Sequence, residues 1–236
     1  LLHEFPLTEW RWTMAVIEVV KWDANPDVYA YKHPSEELGT WTQLVVSESQ
    51  EAVLLKEGTL VGPFGPGRHT LSTKNFPYLI DIVKKVTGNR TPFTAEVWYV
   101  NRMITLDVKW GTSDAIQLQD PKFHVMLPVR SFGQYGIQID DTARFIKKIV
   151  GTLPIFTRET LTRYFRGLML THVKDAIASA IVKRDISILE ISANLTEISK
   201  DLQAAMKPLL AEYGLRLTNF YVNSITTPES DPAVIR

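Results

Sequence analysis

The chain has 236 residues, with 26 basic and 26 acidic side chains and no cysteine. Its 45% hydrophobic and 22% charged residues are typical of a globular protein and exclude a disordered or collagen-like chain. The lack of cysteine excludes disulfides, thiolate metal sites and cysteine nucleophiles. A net charge of zero gives no overall attraction to nucleic acid, so we expect no nucleic-acid partner.

No stretch of the sequence predicts a transmembrane helix. The longest run without a charged side chain is the twelve residues 217–228, whereas a span needs about 20 mostly apolar residues. Glu4, Glu9 and Arg11 also interrupt the N-terminus, which is therefore not typical of a signal peptide.

The balanced charge hides a strong asymmetry along the chain. Residues 1–143 carry 13 basic and 17 acidic groups, residues 144–184 carry 9 and 2, and residues 185–236 carry 4 and 7. The middle segment is therefore a basic region between two acidic ones.

Up to about residue 139 the sequence predicts β-strands, because short β-branched and alternating runs are separated by Gly- and Pro-containing turns. We expect strand 43–47 to pair with strand 52–56. We also expect strand 95–100 to form a hairpin with strand 103–110 through Asn101 and Arg102. The glycines and prolines of residues 62–67 predict a rigid turn.

Beyond Asp140 the periodicity becomes helical. We predict helices over 141–150, 157–184 and 194–213, the second capped by Thr157 and the third opened by a capping box of Asn194 and Glu197. A final strand follows over 215–225. Strands come first and helices later, which favours an α+β fold over a doubly wound α/β fold. The predicted buried stripe of helix 157–184 is Leu161, Phe165, Leu168, His172, Ala176 and Ala180, flanked by Tyr164, Met169, Val173 and Ile177.

The sequence carries no motif for catalysis or cofactor binding. The five histidines lack metal-ligand spacing, the hydrolase motif Gly-x-Ser-x-Gly is absent, and residues 62–67 lack the Gly-Lys-Ser/Thr of a phosphate-binding loop. We therefore predict no catalytic residue, no metal, no cofactor and no small-molecule substrate.

Two segments are candidate contact surfaces. Arg158, Arg163, Arg166 and Lys174 of the long basic helix suit an anionic lipid surface, a neighbouring subunit or a solvated helix face. We assign Tyr164 and Phe165 to the buried side of that helix, which disfavours nucleic acid. Trp10, Trp12 and Met14 form either a membrane-interface contact or part of a first strand.

The order of these elements, together with eight local motifs, resembles the SPFH or band 7 domain of stomatin, prohibitin, flotillin and HflK/C. Within that family the sequence resembles the bacterial YdjI-like branch, also called virion core protein-like. The motifs lie at residues 16–22, 47–53, 64–67, 92–98, 106–111, 120–123, 130–137 and 140–151. The motif residues that we expect to be structural are Gly65, Pro66, Gly67, Trp110, Gly111, Asp120, Pro121, Phe132, Gly133, Tyr135 and Gly136.

The resemblance implies a fold in two parts: a strand-rich subdomain over 16–110, then a mixed subdomain over 111–228 with the long helices and the final strand. Residues 1–15 would be a membrane or oligomer contact, and residues 229–236 the start of a C-terminal extension. YdjI-like members often carry a zinc ribbon, and this cysteine-free sequence gives no basis for one.

The resemblance also implies a non-enzymatic function. The expected protein is a homo-oligomeric scaffold, peripheral on the cytoplasmic side of the bacterial inner membrane, that recruits partners during envelope stress. The alternative is an adaptor that regulates a membrane protease or a phage-shock-protein-A-like protein without touching lipid.

Overall fold

Short antiparallel strands make up the first part of the structure, a computed structural model that describes residues 18–39, 41–71 and 92–227. The described strands that precede residue 102 are β1 (Val19–Val20), β2 (Val28–Lys32), β3 (Glu37–Gly39), β4 (Gln43–Val46), β5 (Gln50–Lys56), β6 (Thr59–Phe64), β7 (Gly67–Thr70), β8 (Pro92–Thr94) and β9 (Glu96–Asn101). With the later strand β13 (Ile155–Thr157), four of them form a five-stranded sheet in the order β13-β2-β9-β5-β6. A three-stranded sheet has the order β1-β4-β7, and β3 pairs with β8.

Strand β9 contributes to two cores at once. Trp98 and Val100 enter the larger core, which also holds the helices, while Val97 and Tyr99 enter a smaller core against the three-stranded sheet. Successive side chains of a strand point to opposite faces, and both faces of this sheet are covered, so β9 is apolar from Val97 to Val100. The Tyr99 hydroxyl lies 2.8 Å from the carbonyl oxygen of Val20 and so ties the two sheets together.

A second sheet is built around one long strand, β12 (Met126–Ile139). It pairs antiparallel with β10 (Thr105–Gly111), β11 (Ile116–Gln119) and β14 (Leu215–Thr226). The β12–β14 ladder runs from Arg130 opposite Thr226 to Ile139 opposite Leu215, and so joins chain segments separated by the whole helical region.

The helical region lies between β12 and β14 and sends one short strand, β13 (Ile155–Thr157), back to β2. Helix α1 (Thr142–Phe145) is capped by Asp141, continues as a π-helical turn over Ile146–Val150, and stops at Gly151. Helix α2 (Arg158–Arg184) is capped by the Thr157 side chain, as the sequence predicts. Helix α3 (Leu195–Ala211) follows a 3₁₀ turn over Ile191–Asn194.

Helix α3 covers the outer edge of β14. The Val222 amide donates to the Ser199 hydroxyl at 2.9 Å, and the Gln203 side-chain amide donates to the Thr218 carbonyl at 3.1 Å. These side chains supply partners to backbone groups that a neighbouring strand would otherwise pair.

The α+β prediction is confirmed, since strands dominate the first part and helices follow. The subdomain boundary near 110 stays a prediction. Two observations bear on how the parts join: β13 belongs to the five-stranded sheet, and the larger core contains Tyr29 and Trp98 as well as the helices.

Two strand-pairing predictions are wrong. Strand β9 pairs with β2 and β5, while β10 pairs with β12, so residues 95–110 form no hairpin. The reason lies at Arg102, whose amide donates to the Ser49 carbonyl and whose guanidinium bonds Glu51 at 2.8 Å, so the chain turns from one sheet into the other. Strand β4 likewise pairs with β1 and β7 rather than with β5.

Two helix details also differ from prediction. Asn194 makes no side-chain cap, because the preceding 3₁₀ turn holds it near helical angles (φ −109°, ψ 6°) rather than in the extended conformation of a capping residue. The buried residues of α2 follow a strict four-residue step instead of the predicted stripe: Leu161, Phe165, Met169, Val173, Ile177 and Ile181, with Ala180 beside them. Tyr164 is 49% exposed, so its assignment to the buried side was wrong.

Gly133 allows β12 and β14 to approach closely. A Cβ atom added there would overlap the Tyr221 carbonyl oxygen and lie 2.8 Å from the Trp110 indole. Both obstacles are parts of the sheet and its core, so neither moves at low cost.

We therefore expect Gly133→Ala to lower the free energy of unfolding by about 1–3 kcal/mol, the usual cost of overpacking. Gly167→Ala is the matched control, because a Cβ at Gly167 in α2 meets nothing within 4 Å. It should raise stability by about 0.5–1 kcal/mol through helix propensity. Urea unfolding followed by circular dichroism measures both, and equal stability of the two variants would contradict this account of the ladder.

Candidate binding surfaces

Three basic side chains project from one side of α2 into solvent: Arg163, Arg166 and Lys174. At about 100° per residue, Arg163 and Lys174 lie about 20° apart around the helix axis, and Arg166 lies within about 80° of both. None of them forms an ion pair with a residue that the structure describes. We call these three residues the basic face.

Arg158 has a different environment. It lies about 140° from Arg163 around the axis, and its guanidinium pairs with Asp107 at 3.0 Å and Asp27 at 3.2 Å. It thereby joins the start of α2 to β10 and to the turn before β2. Of the four predicted contact residues on α2, Arg158 is therefore the one that forms ion pairs with other described residues of the chain.

A cavity of about 310 Å³ lies between α2 and β10. Arg166 brings positive charge to it, and Trp110 and Tyr135 supply aromatic walls. The remaining lining residues are Lys109, Gly111, Thr162, Met169 and Leu170. We call this space the α2–β10 cavity.

The turn between β11 and β12 is held by Asp120, which is fully buried. One carboxylate oxygen accepts from the Ser187 hydroxyl at 2.8 Å and the Ile188 amide at 2.7 Å, and the other accepts from the amides of Lys122 and Phe123. Burial raises the pKa of Asp120, but these four hydrogen bonds outweigh burial and hold the pKa below its usual value. Asp120 therefore fastens the β11–β12 turn to the segment after α2.

This turn presents apolar side chains to solvent. Phe123 and Met126 are each 52% exposed, and Leu189, in the segment that Asp120 holds, is 60% exposed. Lys122 lies 5.8 Å from the Phe123 ring centroid and pairs with Glu190 at 2.7 Å. The turn is thus a rigid apolar projection with compensated charge.

Within the described ranges no helix is both long enough and apolar enough to cross a membrane. The same ranges contain no group of three His, Asp or Glu side chains able to hold a metal ion.

Comparison with known proteins places this arrangement in a family. The model of the SPFH domain-Band 7 family matches residues 28–235. The chain belongs to this family. It is also similar to the uncharacterized protein YdjI of Bacillus subtilis (strain 168), with 25% identity over 214 residues, which are 89% of this chain and 64% of YdjI.

Within this SPFH domain the motif residues have identifiable structural roles. Gly65, Pro66 and Gly67 form the turn between β6 and β7, where the Gly65 carbonyl lies 2.7 Å from His69 Nε2. Trp110 and Tyr135 stack on Phe220 of β14, with ring centroids 5.4 and 6.1 Å away.

The remaining motif residues lie on the long strand, its neighbour and the Asp120 turn. Gly133 and Gly136 stand beside irregularities in the β12–β14 register, where a Cβ at Gly136 would overlap Thr218 and Asn219. Phe132 is exposed on the opposite side of the strand from Gly133 and Tyr135, facing Gly111. Pro121 follows the buried Asp120 in the turn.

The predicted contact residues are not all in one place. Trp10, Trp12 and Met14 lie outside the described residues. Sequence reasoning missed the α2–β10 cavity, because its walls come from elements far apart in the chain. It also missed the exposed Phe123, because an aromatic residue in a strand-like run normally predicts burial. The one available signal was Phe123 beside Asp120 and Pro121, residue types that favour a turn.

We expect Asp120→Asn to destabilise the SPFH domain by about 2–3 kcal/mol at neutral pH, since an amide cannot accept all four hydrogen bonds of the buried carboxylate. Because the folded-state pKa is lowered, the stabilisation by Asp120 is present above its unfolded value and fades as the pH falls through the folded value. The difference in the free energy of unfolding between wild type and variant should therefore become smaller below about pH 4.

Asp114→Asn is the matched control for this prediction, because Asp114 is exposed and bonds only the neighbouring Ser113 hydroxyl among the described residues. It should change stability by less than about 0.5 kcal/mol. Unfolding curves from pH 3 to 7 measure all three proteins. If the difference in stability between wild type and Asp120→Asn stays constant across that pH range, the ionised carboxylate of Asp120 is not what stabilises the fold.

Proposed function

We propose that this SPFH domain is a non-enzymatic scaffold that binds an anionic membrane surface through the basic face of α2 and assembles with further copies of itself. The observation that carries the proposal is that Arg163, Arg166 and Lys174 share one side of the helix, are exposed, and have no acidic partner among the described residues. Glu159 lies one turn before Arg163 and Asp175 follows Lys174, but no ion pair joins them to the basic face. The end of α2 differs, since Arg184 pairs there with Glu197 and Asp201.

The energy per chain is small, so assembly is part of the proposal. A basic residue near an anionic surface contributes about 1 kcal/mol, which gives about 3 kcal/mol for the basic face. Linking several copies raises the effective concentration of each remaining contact, and weak contacts then hold the assembly on the membrane. Self-association would thus convert the weak membrane binding of a single chain into stable binding of the whole assembly.

The family resemblance supplies the setting of the proposal. The scaffold would lie on the cytoplasmic side of the bacterial inner membrane and recruit partners during envelope stress, with a phage-shock-protein-A-like protein or a membrane protease as the expected class. The apolar projection around Phe123 and Leu189 offers a surface for such a partner, because its lysine is already paired with Glu190.

We expect the triple variant Arg163→Glu, Arg166→Glu, Lys174→Glu to lose binding to vesicles that contain anionic phospholipid. Removing about 3 kcal/mol corresponds to a fall in the partition coefficient of on the order of 100-fold. Liposome flotation at low salt measures it, and added salt should weaken wild-type binding because exposed charges are screened.

The matched control carries the same change of net charge on other exposed lysines: Lys147→Glu, Lys148→Glu, Lys207→Glu. It should float like wild type. If both triple variants lose binding equally, attraction depends on net charge and not on the basic face. If wild type does not float at all but still captures its stress partner, the adaptor function replaces the scaffold function.

Deletion of residues 1–15 tests the second predicted contact, Trp10, Trp12 and Met14. If these side chains insert at the bilayer interface, the deletion should reduce flotation also at high salt, where the basic face contributes least. Light scattering of the same proteins reports self-association. A monomer that floats as well without residues 1–15 would contradict both the N-terminal contact and the avidity mechanism.

A further inference from the structure

We propose that the α2–β10 cavity is a binding site for an amphiphilic anion, a single phosphate or carboxylate head group attached to an acyl or alkyl chain. The site is distinct from the open basic face, because it is a concave space between helix and sheet. It also does not depend on the scaffold proposal, since a soluble amphiphile would occupy it.

The first argument is the charge at the cavity. Arg166 lines it from α2 and has no ion-pair partner among the described residues. No acidic residue is among those that line the cavity. A guanidinium without an acid beside it favours an anion and binds phosphate or carboxylate in two-point geometry.

The second argument is an unused hydrogen-bond donor. Tyr135 lines the cavity with only 2% of its surface exposed, and its hydroxyl bonds no described residue. Burial raises the pKa of Tyr135, so the hydroxyl keeps its proton at neutral pH and can donate. The Thr162 hydroxyl, in contrast, already donates to the Arg158 carbonyl at 2.9 Å.

The third argument is the apolar wall. Trp110, Met169 and Leu170 line the same space, so an inorganic anion alone would leave this surface without a partner. A volume of about 310 Å³ is at the lower end of the range for small-molecule pockets. Head group and chain thus match the two kinds of lining, cationic and apolar.

The cavity is also held in a fixed shape. Trp110 and Tyr135 both stack on Phe220, and Arg158 ties the start of α2 to Asp107 on β10. A preformed site loses little free energy to ordering when a ligand binds.

The test is isothermal titration of the full chain with octyl phosphate, with inorganic phosphate and octanol as the two half-ligands. We expect octyl phosphate to bind at least tenfold more tightly than either half-ligand. Arg166→Gln should weaken binding about tenfold, and Tyr135→Phe should weaken it several-fold.

Lys207→Gln is the matched control, since it removes one positive charge from an exposed residue that lies outside both the cavity and the basic face, and it should bind octyl phosphate like wild type. Leu170→Trp fills the cavity without changing charge and should abolish binding. This variant keeps the test decisive if the arginine variant fails to fold, which circular dichroism of each protein checks.

Three results would overturn the proposal: no octyl phosphate binding, equal affinity for octyl phosphate and inorganic phosphate, or equal loss in Lys207→Gln and Arg166→Gln. These outcomes are separable from those of the vesicle assay. Flotation of vesicles with normal behaviour of Leu170→Trp would keep the scaffold and remove the cavity site. Octyl phosphate binding without flotation would do the reverse.

Discussion

The pairing of β12 with β14 is the constraint on which the second half of the molecule depends. Ten residue pairs join Arg130–Ile139 to 215–226, so everything between them is a long excursion that begins and ends at the same place. Closing such a loop has an entropic cost that grows only slowly with loop length. The hydrogen bonds of the β12–β14 ladder and the apolar packing of the core beneath it both offset this cost. The two β12 glycines belong to this constraint, because side chains there would hold the strands apart.

The geometry of α2 follows from having two partners. Its buried residues advance in steps of four, and each step turns the buried side about 40° further around the axis. The first half of the helix therefore packs on the sheet, through Leu161 and Phe165, and the last turns face α3, where Arg184 meets Asp201. Since the buried side winds away, a basic side is left facing solvent along the first two thirds of the helix.

That winding also explains what sequence could and could not give. The helix itself, its Thr157 cap and its stop are local matters of propensity and capping, and the sequence predicted them. The predicted stripe assumes that the helix packs against one flat partner along its whole length. It therefore centred on Leu168, His172 and Ala176, whereas the structure buries Met169, Val173 and Ile177. The two predictions of strand pairing are wrong for a similar reason. Neighbouring strands in sequence are the natural expectation, while Arg102 and its bonds to Ser49 and Glu51 redirect the chain through contacts far apart in sequence. The α2–β10 cavity combines Trp110 of β10 with Arg166 of α2, more than fifty residues further along the chain, which no local pattern reveals.

The way α3 shields β14 limits how this molecule can join with others. An open strand edge is a template on which another chain can add a strand, either in functional assembly or in aggregation. Here Ser199 and Gln203 occupy hydrogen-bonding positions on the edge at Val222 and Thr218. A strand arriving there would first have to displace an entire helix together with the core beneath it. Growth of this sheet into a continuous intermolecular sheet is thus blocked along that edge, and copies that meet on this side must do so through the outer surface of α3, by side chains that can separate again.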